Sequence, residues 1–171
     1  IKPHSVLEGA IVHGGSDIGP FARLRAGTVL ERGVHIGNFV EIKNSHLREG
    51  AKAGHLAYIG DASVGREVNF SAGAITANFD GLDKHRTTIE DGAFVGTNVT
   101  LVAPVTIAQG AFVGAGSTIT TNLPEGSLGV TRASQKTLEG WAIKYWSKKL
   151  ENAKPNKLPY IRTWLELRKS S

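Results

Sequence analysis

A chain of 171 residues has room for one domain of ordinary size and an appendage, and its 20 Lys and Arg exceed its 15 Asp and Glu. The excess lies at one end, because residues 133–171 carry nine basic and three acidic side chains and sum to +6, while residues 1–132 sum to −1. This distribution argues against a general nucleic-acid surface and suits small anions handled at one place.

The composition also excludes several kinds of site. Without Cys, the chain has no disulfide framework, no thiolate zinc site and no cysteine nucleophile, which fits a reducing cytoplasm. No apolar run approaches the roughly 20 residues that span a bilayer, and no signal-peptide pattern opens the chain. We therefore expect a cytoplasmic protein with no membrane segment.

Taken in chain order, the main signal is an aliphatic residue at every sixth position with a small or branched residue four places after it. The first run is Ile18, Leu24, Leu30, Ile36 and Ile42, and the second is Ile89, Val95, Leu101, Ile107, Val113 and Ile119. Such hexads predict a triangular coil of about eighteen residues a turn, whose stacked turns bury the aliphatic ladder. We expect residues 1–125 to form an all-β solenoid. A β-sandwich would alternate with period two and a helix with period 3.6.

Residues 80–88 interrupt the hexads between Thr76 and Ile89. We expect these residues to form a loop extruded from a corner of the coil. Loops on rigid scaffolds often carry function, and a tolerated insertion is the alternative.

The repeat stops at Pro124, and residues 126–171 hold all three Trp and two of the three Tyr. Residues 136–153 have helix-forming composition, and a second, short helix is expected after Pro159. Basic residues among aromatics also occur on nucleic-acid-binding surfaces. We prefer a partly helical packing arm, because the open end of a β-helix needs a cap and exposed aromatics need a partner surface.

Among the six His, His55 lies beside Gly54 within a hexad, between the cation of Lys52 and the phenol of Tyr58. An isolated His is more often structural or merely exposed. These neighbours make His55 a candidate base, and the residues alone leave both readings open.

Five ordered motifs strengthen the case for His55 as a base: IGPFARLR at 18–25, VHIGNFVEIK at 34–43, KAGHLAYIGDA at 52–62, AGAITANFDG at 72–81 and LVAPV at 101–105. Together they resemble the C-terminal domain of the bacterial bifunctional N-acetylglucosamine-1-phosphate uridyltransferase/glucosamine-1-phosphate acetyltransferase family, from about Ile18 to Arg132. The resemblance implies a left-handed parallel β-helix, opposite to the usual crossover hand. It also implies a homotrimer with active sites shared between subunits and an arm that packs on a neighbouring subunit.

The resemblance further implies acetyl transfer from acetyl-CoA to the amine of glucosamine 1-phosphate, on the route to UDP-N-acetylglucosamine for peptidoglycan and lipopolysaccharide. An ammonium must lose a proton before it attacks a thioester, and imidazole, with an unperturbed pKa near 6.5, suits that task. His55 matches the family's base, and Glu41 matches the carboxylate that orients it. The matching substrate-binding residues are Arg25 and Lys43 for the phosphate, Tyr58 and Asn69 for the sugar, and Lys84, which the family contributes from an adjacent chain.

For acetyl-CoA the resemblance implies a groove between coils, where small side chains let the pantetheine arm lie flat. The matching residues are Ala72, Asn78, Phe79, Thr97, Ala115 and, for the nucleotide end, Arg132. The family commonly has Tyr at Phe79 and Ser at Thr97, so hydroxyl contacts there are altered or lost. Ala77 replaces a common Cys that the mechanism does not need.

Three alternatives remain open. Another hexapeptide acyltransferase would act on serine, a sugar nucleotide or an antibiotic; a β-helix carbonic anhydrase would need three convergent His, for which the closely spaced pair is missing; a non-catalytic trimeric solenoid would bind no acetyl-CoA. No metal site is expected, since magnesium belongs to the uridyltransferase half, which is absent from this sequence.

Overall fold

The computed structural model describes residues 1–168 and divides the chain into two compact units, Ile1–Arg132 and a second unit that begins at Ala133. The strands of the first unit are β1 Val6–Leu7, β2 Ile11–Val12, β3 Asp17–Ile18, β4 Arg23–Leu24, β5 Val29–Leu30, β6 His35–Lys43, β7 His46–Leu47, β8 Lys52–Gly60, β9 Ala62–Val64, β10 Asn69–Phe70, β11 Ile75–Ala77, β12 Thr87–Ile89, β13 Phe94–Val95, β14 Thr100–Val102, β15 Val105–Ile107, β16 Phe112–Val113, β17 Thr118–Ile119 and β18 Leu128–Gly129. The helices of the second unit are α1 Trp141–Glu151 and α2 Pro159–Leu167.

The strands of the first unit pair only in parallel and form a β-solenoid of about 7 turns. Its three faces are face A (β3, the first part of β6, the first part of β8, β10, β13, β16 and β18), face B (β1, β4, the second parts of β6 and β8, β11, β14 and β17) and face C (β2, β5, β7, β9, β12 and β15). The parallel solenoid expected from the six-residue period is confirmed.

The aliphatic positions of the hexads form one internal ladder. Ile18 pairs with Ile36 eighteen residues later, and Ile36 pairs with Ala53 seventeen residues later. Both Ile18 and Ile36 are fully buried, as are the other aliphatic residues of the first run. Because every inward side chain lies between those of the coils before and after, the hydrophobic pattern specifies the register between coils.

Corner residues with a left-handed backbone are the points at which the chain changes face. The corner between faces A and B, named here the His55 corner, places Phe21, Phe39, Leu56, Gly73, Asn98 and Gly116 at positive φ in successive coils. Asn44 and Asp61 occupy the corner between faces B and C, named here the Asp61 corner, with φ of 45° and 50°. Left-handed backbone is uncommon for residues with a side chain, and here it recurs because each coil must bend at the same place.

The extruded loop is shorter than the sequence predicts. Thr87 and Thr88, assigned to the loop from the sequence, belong to β12, where they pair with Ala62 and Ser63 of β9. Thr87 is fully buried, because the coil resumes two residues before the next aliphatic position, Ile89. The loop proper therefore spans residues 79–86 and is closed by an antiparallel bridge between Phe79 and Lys84.

The far end of the solenoid extends beyond the last hexad. β18 pairs with β16 through Phe112 and Leu128, although the sequence places the end of the β-helix at residue 125. The repeat is lost there because Leu128 lies sixteen residues after Phe112, so the six-residue spacing fails while the pairing continues.

In the second unit, α1 begins at Trp141, five residues later than the sequence predicts, because Gly140 adopts a left-handed backbone with φ 70°. The two helices pack through Leu150 and Leu165, which are buried. The Arg162 guanidinium donates hydrogen bonds to the carbonyl oxygens of Ala153, at 3.0 Å, and Lys154, at 3.2 Å. These contacts satisfy acceptors past the end of α1 and join the helices. Neither helix is long and apolar enough to cross a bilayer, judged over residues 1–168.

The close approach of consecutive coils generates a stability prediction at Gly37. A Cβ at this position would overlap the carbonyl oxygen of Gly54 in the next coil. We expect Gly37→Ala to lower the free energy of unfolding by about 1–3 kcal/mol or more, as over-packing of a core does. Urea unfolding at one protein concentration measures the change.

Gly14→Ala is the matched control, because no atom lies within 4 Å of the Cβ it would add. Its effect should stay within about 0.5 kcal/mol. Equal unfolding midpoints for the two variants would contradict the close packing of Gly37.

Candidate active site

The His55 corner carries most of the residues matched to the base and to acetyl-CoA in a single column. His55 lies opposite Asn38 in the coil before it. The pairing of Lys52 with Asn69 places Ala72 next in the column, and the pairings of Phe70 with Val95 and of Val95 with Val113 continue it. From the base outwards the column is His55, Ala72, Thr97 and Ala115. Residues up to 60 positions apart in the sequence are therefore neighbours along one edge.

Arg132 extends this column at its far end. Its Nη1 donates a hydrogen bond to the carbonyl oxygen of Ala115 at 2.7 Å. The rest of the guanidinium is exposed. The cation matched to the nucleotide end of acetyl-CoA thus lies where the column ends.

Face B carries the residues matched to the phosphate and the sugar. Glu41 is directly opposite Tyr58, and Arg25 Nη1 donates to Glu41 Oε1 at 2.9 Å. Lys43 is opposite Gly60, and a Cβ at Gly60 would collide with the Tyr58 phenol. Tyr58 therefore leans along its strand over Gly60. The structure places these four matched residues together on face B, with Arg25 and Lys43 at the end next to the Asp61 corner.

The expected contact of Glu41 with His55 is absent. Glu41 is bound to Arg25, and no hydrogen bond reaches the His55 side chain from any of residues 1–168. His55 is exposed. The sequence could not show which residue the Glu41 carboxylate contacts, because Arg25 and His55 both lie within one coil of Glu41.

Asn69 does not join the face B group. It lies on face A, on the other side of the His55 corner, and its Nδ2 donates to Ser71 Oγ at 2.9 Å. Asn69 and Tyr58 therefore point away from different faces of the coil. One chain does not bring these two sugar-binding candidates to the same site.

Lys84, at the end of the extruded loop, lies beside Lys43 of the same chain. The pKa of Lys43 is below the usual lysine value, first because of the Lys84 side chain and then because partial burial disfavours the ammonium. Asp61 opposes this shift. The resemblance implied that Lys84 serves an adjacent chain, and in this structure its nearest cation is its own Lys43.

Asp61 is the charged residue that sequence reasoning missed. Asp61 is 7% exposed, and its carboxylate accepts hydrogen bonds from Asn44 Nδ2, at 2.6 Å, and from Asn78 Nδ2. Burial would raise the pKa of Asp61, but the two amides and the charges of Lys43 and Lys84 hold it below its usual value. The signal in the sequence was a polar residue at seventeen-residue intervals: Asn44, Asp61 and Asn78.

The two remaining cofactor-matched residues differ in environment. Asn78 is buried, and its amide nitrogen is committed to Asp61. Phe79 is 58% exposed and bears no hydroxyl. Only backbone groups and a ring face are offered to a ligand at Phe79. No group of three or more His, Cys, Asp or Glu that would hold a metal ion occurs within residues 1–168.

The loop between Phe79 and Lys84 is held by Asp80. Its Oδ1 accepts the amide hydrogens of Leu82, at 2.9 Å, and Asp83, at 2.7 Å, while its Oδ2 lies 2.6 Å from His85 Nε2. These contacts, the Asp83 amide first, hold the pKa of Asp80 far below its ordinary value. Asp80 thereby fixes the path that delivers Lys84.

This geometry predicts that Asp80→Ala increases hydrogen exchange in residues 79–86. In the unchanged protein the carboxylate's contribution is fully present above the unfolded value of 3.8. It is lost as the pH falls from there through the lowered pKa, because the protonated group accepts more weakly. Exchange measured by mass spectrometry at neutral pH and near pH 3 follows both effects.

Asp83→Ala in the same loop is the control, because the Asp83 side chain is exposed and enters no hydrogen bond or ion pair within the described chain. Equal exchange in the two variants would contradict a loop held by the Asp80 carboxylate.

Comparison with known proteins supports the fold and the resemblance. Residues 86–121 match the family model described as bacterial transferase hexapeptide (six repeats). The solved structure of PerB from Caulobacter crescentus, in complex with CoA and GDP-perosamine, is similar with a TM-score of 0.53 at 19% identity, over 74% of this chain and 55% of PerB. At that identity the likeness concerns the fold alone.

Two curated relatives are much more similar in sequence. The bifunctional protein GlmU of Pseudomonas entomophila is 57% identical over 141 residues, and that of Methylococcus capsulatus is 59% identical over the same length. Each match covers 82% of this chain but 31% of the relative, so the chain spans about a third of the length of these proteins. The chain is therefore similar to the C-terminal part of the bifunctional GlmU proteins, and its residues 86–121 match the hexapeptide-repeat family model.

Proposed function

We propose that this chain transfers the acetyl group of acetyl-CoA to the amine of glucosamine 1-phosphate, giving N-acetylglucosamine 1-phosphate and CoA. The observation that carries the proposal is that two groups of residues meet at the His55 corner. One is face B with the cations Arg25 and Lys43, which we expect to bind the phosphate, and the other is the column of small residues. The similarity to the GlmU proteins supports the same reaction. The product would feed UDP-N-acetylglucosamine synthesis for peptidoglycan and lipopolysaccharide, in the cytoplasm.

His55 acts as the general base. Its exposed imidazole accepts a proton from the substrate's amine as the nitrogen attacks the thioester carbonyl and a tetrahedral intermediate forms. Collapse of the intermediate breaks the carbon–sulfur bond, and the protonated imidazole returns the proton to the leaving CoA thiolate. The orientation of His55 by Glu41 stays a prediction, and the observed contact makes Glu41 first a partner of Arg25.

The phosphate is anchored on face B. Arg25 uses one nitrogen on Glu41 and keeps other N–H donors for a planar, bidentate contact with phosphate oxygens. Lys43 and Lys84 add two point charges beside it. Tyr58, between these cations and His55, is placed to contact the sugar ring.

Acetyl-CoA lies along the column beyond His55. Ala72, Thr97 and Ala115 offer small side chains that let pantetheine approach the backbone, and Arg132 offers its exposed guanidinium to the nucleotide phosphates. Asn78 and Phe79 lie at the other end of face B, at the Asp61 corner and the start of the loop. PerB was solved with CoA, which supports an acyl-CoA cosubstrate here.

The site is completed between subunits of a homotrimer. Asn69 lies on face A while Tyr58 lies on face B, so both reach one sugar only if face A of one subunit meets face B of the next. The arm, which begins at Ala133, packs on a neighbouring subunit in this arrangement. Holding both substrates across one interface makes the aminolysis effectively unimolecular.

The first test is CoA release with different acceptors. Glucosamine 1-phosphate should be acetylated in preference to glucosamine 6-phosphate and serine, because the three cations surround the place of the anomeric phosphate. His55→Ala should lower kcat about 10²- to 10⁴-fold, the usual share of a general base, with little change in acetyl-CoA affinity.

His13→Ala is the control, since His13 is exposed and lies in the first coil. Wild-type turnover in His55→Ala would remove the base from its role. A chain that acetylates serine or a sugar nucleotide better would be a different hexapeptide acyltransferase, and one that binds no acetyl-CoA would be a structural solenoid.

The shared site predicts complementation. His55→Ala and Asn69→Ala are each expected to be impaired, but co-expressed subunits form mixed trimers in which one interface carries both intact residues. Activity of the mixture, normalised to protein, should exceed that of either variant alone. Additive activities, or a monomer in sedimentation equilibrium, would argue against sites shared between subunits.

A further inference from the structure

The Asp61 corner lies directly behind the cations of face B. The backbone N–H of Asp61 donates to the carbonyl oxygen of Lys43 at 3.0 Å, and its carbonyl oxygen accepts from the backbone N–H of Thr87, the first residue of β12. One residue thus joins the strand that carries Lys43 to the strand that follows the loop with Lys84. The backbone contacts of Asp61 therefore link these two strands independently of its charge.

The carboxylate of Asp61 is enclosed by other side chains of the corner. Asn44 and Asn78 donate one amide to each carboxylate oxygen, and Asp61 as a whole is 7% exposed. The surrounding charges are those of Lys43 and Lys84, with Arg25 facing Lys43 and the Arg86 guanidinium donating to the carbonyl oxygen of Ala62 at 3.4 Å. Asp61 is the acidic group among the charges that act on Lys43.

The corner itself does not require a carboxylate. In the preceding coil the same position is Asn44, which adopts φ 45° against 50° for Asp61, and an amide is as compatible with this backbone. Burial of a carboxylate costs free energy that burial of an amide does not. The backbone of the corner therefore does not select the carboxylate, and the groups that favour it are the two amide donors of Asn44 and Asn78 and the two ammonium groups.

We propose that Asp61 is a positioning residue, whose buried carboxylate holds Lys43 and Lys84 side by side as ammonium ions where the phosphate of the substrate binds. This inference rests on the proposed function. Two ammonium groups in contact repel each other, and a fixed negative charge behind them offsets that repulsion without occupying the side that faces the substrate. The lysines are then placed before the phosphate arrives.

Asp61→Asn tests the charge with little change in shape. The lowered pKa of Lys43 should fall further without the carboxylate, so Lys43 loses its proton at a lower pH than in the wild type. The KM for glucosamine 1-phosphate, relative to wild type, should rise about tenfold between pH 7 and 9, the effect of about one unit of lysine pKa. The kcat and the KM for acetyl-CoA should stay within twofold. The melting temperature should fall, because one of the amides of Asn44 and Asn78 loses its acceptor, so kinetics are measured at a temperature where both proteins are folded.

Two further variants identify the route of the effect. Asp17→Asn removes a carboxylate that pairs with Lys2 on the first coil, and its KM should match wild type at every pH. In a Lys84→Met background, Asp61→Asn should change the KM less than in the wild type, because a single ammonium needs no counter-charge. Such non-additivity is expected for residues that act through one another.

A KM ratio that is independent of pH, or a lower KM in Asp61→Asn because the carboxylate merely repels phosphate, would overturn the inference. Binding of inorganic phosphate, measured by calorimetry across the same pH range, separates this result from failure of the proposed function. If the wild type does not acetylate glucosamine 1-phosphate but Asp61→Asn loses phosphate at lower pH, the function fails and the role of Asp61 stands. Equal phosphate binding in both proteins overturns the role of Asp61.

Discussion

The burial of one aliphatic side chain in every hexad is the constraint on which the rest of this structure depends. A single coil encloses too little apolar surface to be stable, so each ladder residue needs the equivalent residues of the coils before and after it. Ile18, Ile36 and Ala53 show this directly, since they pair in register and are fully buried. Once the inward positions are stacked, the outward and corner positions must stack as well.

Stacking of the coils makes residues that are far apart in the sequence neighbours in space. The column from His55 to Ala115 spans four coils at one corner, and Arg25 and Lys43 are one coil apart on face B. The corner residues adopt left-handed backbone so that the chain can bend without leaving the stack. A rigid repeat therefore presents the candidate base, the small-residue column and the cations of face B, with residues 79–86 as the loop that leaves the coil.

The electrostatics of face B follow a common pattern in which each cation has a carboxylate behind it. Glu41 holds Arg25 through a partly exposed ion pair, and the buried Asp61 carboxylate, bound by Asn44 and Asn78, acts on Lys43 and Lys84 through its charge without forming an ion pair with them. Exposed pairs are worth little to stability, so their value here lies in fixing where the positive groups point. Three cations directed at one place would repel one another without such partners.

The sequence by itself determined the solenoid, the presence of two helices in the arm and the identity of the matched residues, because a six-residue period and ordered motifs are local patterns repeated along the chain. Only the tertiary structure decided that Glu41 contacts Arg25, that Asn69 lies on a different face from Tyr58, that the coil resumes at Thr87 and that Asp61 lies behind Lys43. These features depend on which rotamer a side chain adopts, on the path of the loop and on the coil that lies next to each residue. A side-chain rotamer and the path of a loop produce no repeating pattern in the sequence.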